Sequence, residues 1–225
     1  MATLTMKFGG TSVGSADAIA QAAGVVKKSF DEGHRVLVVC SAMNSVTDAL
    51  LKAAQAAAAG EASTYQGLVQ GLRERHRATI SALLRSDVER IALHDEVGAL
   101  LDELETLCYG IYVLREASPK ALDKVCSLGE RMSVPIVSAL LRQCGVPSVT
   151  ISASHLIVTD DQFQNAGVLF EETSRVLFCG DLITQLGAEV MTESDIVPAA
   201  IAAEDMFHST SVGTRYRASD LRRPG

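Results

Sequence analysis

Hydrophobic and polar positions change rhythm along the chain, and the changes separate strands from helices. The opening "TLTMKF" alternates over a few residues, which predicts a short strand. "SADAIAQAAGVVKKSF" then sets Ala16, Ile19, Ala20, Ala23 and Val26 on one helical stripe, with Ser15 as cap, Lys27 and Lys28 at the carboxyl end and Gly33 as the stop. "HRVLVVCSA" is a continuous apolar run of strand length, the pattern of a strand covered on both faces in a parallel sheet. Strand, helix, strand predicts an α/β fold.

From Thr47 to Tyr112 the pattern is helical, in the pieces "DALLKAAQAAAAG", "LRERHRATISALL" and "DEVGALLDELETL". No strand-like run interrupts them, so 47–112 is expected to be a helical excursion between strands. "SPKALDKVCSLGERMSVPIVSALLRQCGVPSVTIS" predicts a helix, a small-residue break at Ser127 to Gly129, a second helix ending near Cys144 and Gly145, and a strand over Ser148 to Ile151. "IVTDDQFQNAGV" reads as a polar loop, "FEETSRVLFCGDLITQLG" as an amphipathic helix and "DIVPAAIAA" as a last strand. After Ala203 apolar periodicity fades, and 204–225 is expected to be a degenerate or frayed tail.

With 225 residues, 48% of them hydrophobic, the chain can bury a sizeable core. A net charge of −7 argues against a general nucleic-acid or anionic-membrane surface, since both need a basic footprint. Any anionic ligand must meet a local cluster. The five cysteines form no Cys-x-x-Cys pair and have no histidine at zinc-site spacing, so they read as reduced cytosolic thiols and no metal site is expected. No basic segment leads into an apolar one at the start, and no apolar run approaches bilayer length, which makes the cytoplasm the expected location. The five histidines are scattered, and surface or satisfied core positions are expected for them.

Candidate chemistry begins at "KFGGTS". Lys7 and Phe8 close the first strand, and Gly9, Gly10, Thr11 and Ser12 follow. A turn without Cβ atoms lets backbone N–H groups approach an anion, and a helix N-terminus adds partial positive charge. The same residues also make an ordinary tight turn after a solvated lysine, and the spacing alone leaves both readings open. It is neither a Walker loop nor a dinucleotide-binding glycine pattern. Glu130 falls near the start of the predicted second helix, where a carboxylate either complements the helix dipole or serves as a ligand.

Four ordered motifs add to the spacing: "KFGGTSV", "VVCSAMNSVTDALL", "LDKVCSLGERMS" and "VTDDQFQNA". Together they resemble the aspartate kinases of the amino acid kinase superfamily, over residues 4 to 203. The resemblance implies an αβα sandwich with a mainly parallel sheet, here incomplete, with residues 1–203 as the N-terminal part of an amino acid kinase domain. It implies transfer of the ATP γ-phosphoryl group to the β-carboxylate of L-aspartate, giving 4-phospho-L-aspartate, the first step to lysine, threonine and methionine. ATP, with Mg2+ carried by the nucleotide, and L-aspartate would be the ligands, and a full-length parent would be a homo-oligomer. By the same resemblance Lys7 supplies a charge to the transferring group, and Gly9, Gly10, Thr11 and Ser12 supply donors. Ser41 and Thr47 sit where the acceptor carboxylate meets the phosphate, and Glu130 binds the ammonium group of aspartate.

The chain also departs from the family. The segment Thr-Thr-Leu-Gly-Arg-Gly-Gly-Ser-Asp has its best counterpart in "STSVGTRYRASD", with Arg215 or Arg217 near the arginine and Ser219 and Asp220 near the end, but the glycines are replaced and the spacing is longer. No residue is carried over from it. Gln164 stands where the family's Asp-Gln-Phe-Gly-Asn-Ala loop has glycine. The segment that forms much of the adenine and ribose site, and the regulatory ACT domains, have no counterpart before Gly225. Two alternatives therefore stand beside an aspartate kinase: a non-catalytic truncated or frameshifted fragment, and a superfamily member acting on another carboxylate or a carbamate. Residues 1–225 alone are expected to show no turnover.

Overall fold

The computed structural model describes residues 3–179. The expected strand "DIVPAAIAA", the 204–225 tail, Arg215, Arg217, Ser219 and Asp220 lie outside the described residues. Strand β1 (Thr3–Phe8) leads into α1 (Ala16–Asp31) and then β2 (Arg35–Cys40), and the two strands pair in parallel with Phe8 opposite Cys40. Parallel pairing requires a crossover, which α1 provides, and it puts the carboxyl ends of both strands at one edge of the sheet. In β1, Met6 and Phe8 pack on the core while Thr5 and Lys7 are exposed.

The Ser15 hydroxyl accepts the Ala18 N–H at 3.2 Å and starts α1. Gly33, in the left-handed region with φ 85°, turns the chain after it. Ile19, Ala22, Ala23 and Val26 are buried, and Ala20 is exposed, which corrects the predicted stripe. Each helical residue turns about 100°, so Ala20 points away from Ile19 whereas Ala22 and Ala23 flank it a turn later. The expected burial of β2 on both faces is not met among the described residues: Val36 to Val39 are half-buried, and only Cys40 of the strand is buried.

The excursion forms α2 (Val46–Ala59), α3 (Ala62–Leu83) and α4 (Asp87–Leu114). Ala53, Ala54 and Ala57 are fully buried, and their small side chains let α2 lie close to its neighbours. Helix α5 (Pro119–Gln143) touches α1, α2, α3, α4 and β2. Leu128, Met132 and Ile136 on it are fully buried, each contributing about 1.5–3 kcal/mol of hydrophobic stabilisation.

Two predicted features are corrected. Helix α5 runs unbroken through Ser127 to Gly129. The small residue there serves close packing: a Cβ on Gly129 would lie 2.7 Å from the Ala42 Cβ and 3.4 Å from Leu50 Cδ1. The segment Ser148 to Ile151 does not form a strand; its first residue is instead tied to α5. Ser148 Oγ donates to Ser138 O at 2.9 Å, and Arg142 Nη1 donates to Ser148 O at 3.4 Å. The polar loop that follows carries an antiparallel bridge between Thr159 and Val168 and leads into α6 (Phe170–Cys179).

His76 is fully buried. Its Nδ1 lies 2.7 Å from Leu72 O, which makes Nδ1 the protonated nitrogen, and its buried Nε2 has no partner among the described residues. The expectation of satisfied core histidines is corrected at this residue, and His34 and His94 likewise each keep a buried, unpartnered Nδ1. Cys40, Cys108, Cys126 and Cys144 are free thiols. Burial pushes Cys40 up to about 12 and, with Glu105 nearby, Cys108 up to about 11, so both are unreactive.

Candidate active site

Two loops leave the shared edge of the sheet. The first, Gly9 to Gly14, folds on itself: Ser12 N–H and Val13 N–H donate to Gly9 O at 2.9 and 3.2 Å. Val13 is fully buried and pins the loop from below, while Gly9, Thr11 and Ser12 are exposed. The N–H groups of Gly10 and Thr11 have no hydrogen-bond acceptor among the described residues, and a Cβ on Gly9 would meet nothing within 4 Å. Open donors over open space are what an anion needs.

The second loop, Ser41 to Ser45, lies against the first. Ser41 N–H donates to Phe8 O at 3.0 Å, and a Cβ on Gly10 would stand 3.2 Å from Ala42 O. A Cβ on Gly14 would stand 2.9 Å from the Asn44 Cβ, so this glycine is required by close approach. The second loop enters α2 through Ser45, which is left-handed at φ 61° and makes no side-chain cap. The contrast with α1 is informative. Ser15 caps α1 with one bond, to Ala18 N–H, whereas α2 has no side-chain cap and begins directly after the second loop, so its N-terminus adds partial positive charge beside the loops as well. In sequence Ser45 looks like any capping serine, and only its backbone angle reveals the difference.

Helix α5 contributes the carboxylate. Glu130 Oε1 accepts the Ala42 N–H at 3.2 Å, and Ser133 Oγ, one turn on, donates to Ser41 O at 2.8 Å. Together with the close approach at Gly129, these bonds dock the middle of α5 onto the second loop. Ser41 therefore has both backbone groups committed, and its hydroxyl has no partner among the described residues. Burial raises the Glu130 carboxyl above the usual carboxylate range, and the N–H groups of Glu130 itself and Ala42 only partly offset this. A cation placed there would reverse that cost.

Gly9, Gly10, Thr11 and Ser12 form the first loop, Ser41 and Glu130 meet through Ala42, and Thr47 lies half-buried in the first turn of α2. Lys7 stands on the exposed face of β1, opposite Val39 and two residues before the loop. Asp160 Oδ1 accepts the Gln162 and Gly167 N–H groups, which closes the later polar loop. Gln164 holds a left-handed φ of 67° there, an angle that glycine adopts more readily, and its N–H donates to Asp123 Oδ2 at 2.7 Å. Among the described residues no helix is long and apolar enough to cross a membrane, and no cluster of three or more His, Cys, Asp or Glu could hold a metal.

Comparison with known proteins gives the site its context. The profile of the amino acid kinase family matches residues 3–205. An aspartokinase of Schizosaccharomyces pombe is 30% identical over 201 residues, covering 87% of this chain and 37% of the relative. The chloroplastic bifunctional aspartokinase/homoserine dehydrogenase 1 of Arabidopsis thaliana is 33% identical over 152 residues, covering 68% of this chain and 16% of the relative. The crystal structure of E. coli aspartokinase III in complex with aspartate and ADP superposes with a TM-score of 0.70 at 26% identity, over 81% of this chain and 38% of that one. The chain spans well under half the length of these relatives.

Proposed function

The chain belongs to the amino acid kinase family, and on that premise we propose that its two loops and Glu130 hold the phosphoryl group and the amino acid of an aspartate kinase reaction. The observation that carries this reading is the half-buried Glu130 carboxylate, fixed by the Ala42 N–H one residue from the Ser41 hydroxyl. A carboxylate whose charge is disfavoured when empty suits an ammonium ligand, because pairing with the cation restores the ionised form.

In this reading a β-carboxylate oxygen of L-aspartate attacks the γ-phosphorus of ATP, the bond from that phosphorus to the β,γ-bridging oxygen breaks, and 4-phospho-L-aspartate and ADP result. Such a transfer asks the protein for positioning and charge neutralisation more than for covalent help. Gly9, Gly10, Thr11 and Ser12 donate to the transferring group, Lys7 adds a point charge, and Ser41 and Thr47 orient the acceptor carboxylate. Magnesium would arrive with the nucleotide and would neutralise phosphate charge there. The same reading makes the product the first step to lysine, threonine and methionine, makes the full-length parent a homo-oligomer, and places the protein in the cytoplasm.

Calorimetric titration tests the amino acid half of the site. L-Aspartate should bind about 10- to 100-fold more tightly than succinate, which lacks the ammonium group, because a charge-assisted contact contributes about 1.5–3 kcal/mol. Glu130→Gln keeps an acceptor for Ala42 and should erase that preference. Equal binding of the two ligands by the unaltered chain would refute the assignment.

A further inference from the structure

Gly9 O accepts both Ser12 N–H and Val13 N–H, which ties the middle of the first loop back to its start. At its end the internal bond is poor, with Gly14 N–H 3.4 Å from Thr11 O. What holds that end comes from far along the chain: Arg75 Nη2 on α3 donates to Gly14 O at 3.0 Å. The carbonyl in question is the last one before the Ser15 cap of α1. Gly14 is also where the loop presses on Asn44 of the second loop.

We propose that Arg75 is a positioning residue for phosphoryl binding: it latches the end of the Gly9–Gly14 loop from the helical excursion and so holds the Gly10 and Thr11 donors in register with the second loop. The inference rests on the phosphate reading of that loop. Three features fit a latch better than a surface tether. The backbone of Arg75 is fixed, because Thr79 Oγ1 donates to its carbonyl at 3.0 Å and the adjacent His76 is fully buried. The guanidinium is half-buried, where a charge-assisted bond to a carbonyl is stronger than at an exposed site. Arg75 also lines a groove of about 430 Å³ between α2 and α3, shared with Ser45, Asp48 and Lys52, so the latch residue touches the excursion and borders both loops. Without it, the Gly14 carbonyl would lose its anchor, and the loop end would rest on the buried Val13, its N–H bond to Gly9 O, the long Thr11 contact and the packing against Asn44. A loop loosened in this way presents the same donors with a wider spread of positions, and phosphate affinity falls while the amino acid end of the site is untouched.

The test uses the whole chain with Arg75→Met, Arg75→Lys and, as a control on the phosphate reading, Lys7→Ala. Inorganic tripolyphosphate and L-aspartate are titrated calorimetrically, and amide hydrogen exchange is read at Ser12, Val13 and Gly14. Arg75→Met should weaken tripolyphosphate about tenfold and speed loop exchange by a similar factor, as expected for loss of one charge-assisted bond. L-Aspartate affinity and the melting temperature should stay near those of the unaltered chain. Arg75→Lys, which keeps the charge without the planar fork, should recover part of both losses. Unchanged tripolyphosphate affinity and loop exchange in Arg75→Met would overturn the proposal. If Arg75→Met unfolds, Arg75→Lys decides alone: it must show the intermediate weakening with aspartate binding intact. If tripolyphosphate does not bind, or Lys7→Ala leaves its affinity unchanged, the phosphate reading fails. Loop exchange then judges the latch by itself, with no acceleration in Arg75→Met counting against it.

Discussion

Glu130 shows most clearly how one residue's surroundings set its chemistry. Its carboxyl titrates above the usual range because burial penalises the charge. In the empty chain the native state therefore binds more protons than the unfolded one between the two titration points. Stability falls as pH rises from about 4.5 through the raised native value and is flat above it. Ligand binding carries the opposite dependence, since only the ionised form attracts ammonium. L-Aspartate affinity should rise with pH through that same window, with proton release on binding, and calorimetry in buffers of different ionisation enthalpy measures both. A pH-independent affinity across the window would separate Glu130 from the ammonium. At this scale "KFGGTS" and "SLGE" were legible because short motifs carry their donors in fixed order. Arg75 was not, because its partner Gly14 is 61 residues away and no local pattern marks it.

Among the elements, α5 departs furthest from its sequence pattern. Ser127 to Gly129 read as a break because glycine in a helix interior costs about 1 kcal/mol against alanine. The structure sets that cost against contact: Gly129 lets the helix approach Ala42 and carry Glu130 and Ser133 to the second loop. The two effects compete in Gly129→Ala. Alanine regains about 1 kcal/mol of propensity, but its Cβ would sit 2.7 Å from the Ala42 Cβ and 3.4 Å from Leu50 Cδ1, and overpacking of this kind costs typically 1–3 kcal/mol. Contact should win. The expected result is a net loss of up to about 2 kcal/mol in urea denaturation together with weaker L-aspartate binding, as the helix is pushed off the loop. A variant more stable than the parent would restore the reading of Gly129 as a mere helix weak point. The other mistaken element is the strand at Ser148 to Ile151: local pattern can propose a strand, but a ladder needs a partner, and among the described residues this segment pairs with none, its first residue being tied to Ser138 and Arg142 of α5.

For the molecule as a whole, the β1–α1–β2 unit and the helical excursion were legible from the switch between alternating, continuous and helical periodicity. What could not be read was how the excursion and the helix after it fold back. Helix α3 returns to the first loop through Arg75, and α5 returns to the second through Gly129, Glu130 and Ser133, so three distant segments meet at one edge of the sheet. The account stands on that meeting being one site with two ends. Amide chemical shifts of the isotope-labelled chain, followed through separate titrations with Mg-ATP and L-aspartate, test it most directly. Mg-ATP should move Gly9, Gly10, Thr11 and Ser12, L-aspartate should move Ser41, Ala42 and Glu130, and Lys7→Ala should weaken the first response while leaving the second. Responses confined to other parts of the chain, or an aspartate response that depends on Lys7 as strongly as the nucleotide response does, would contradict the account.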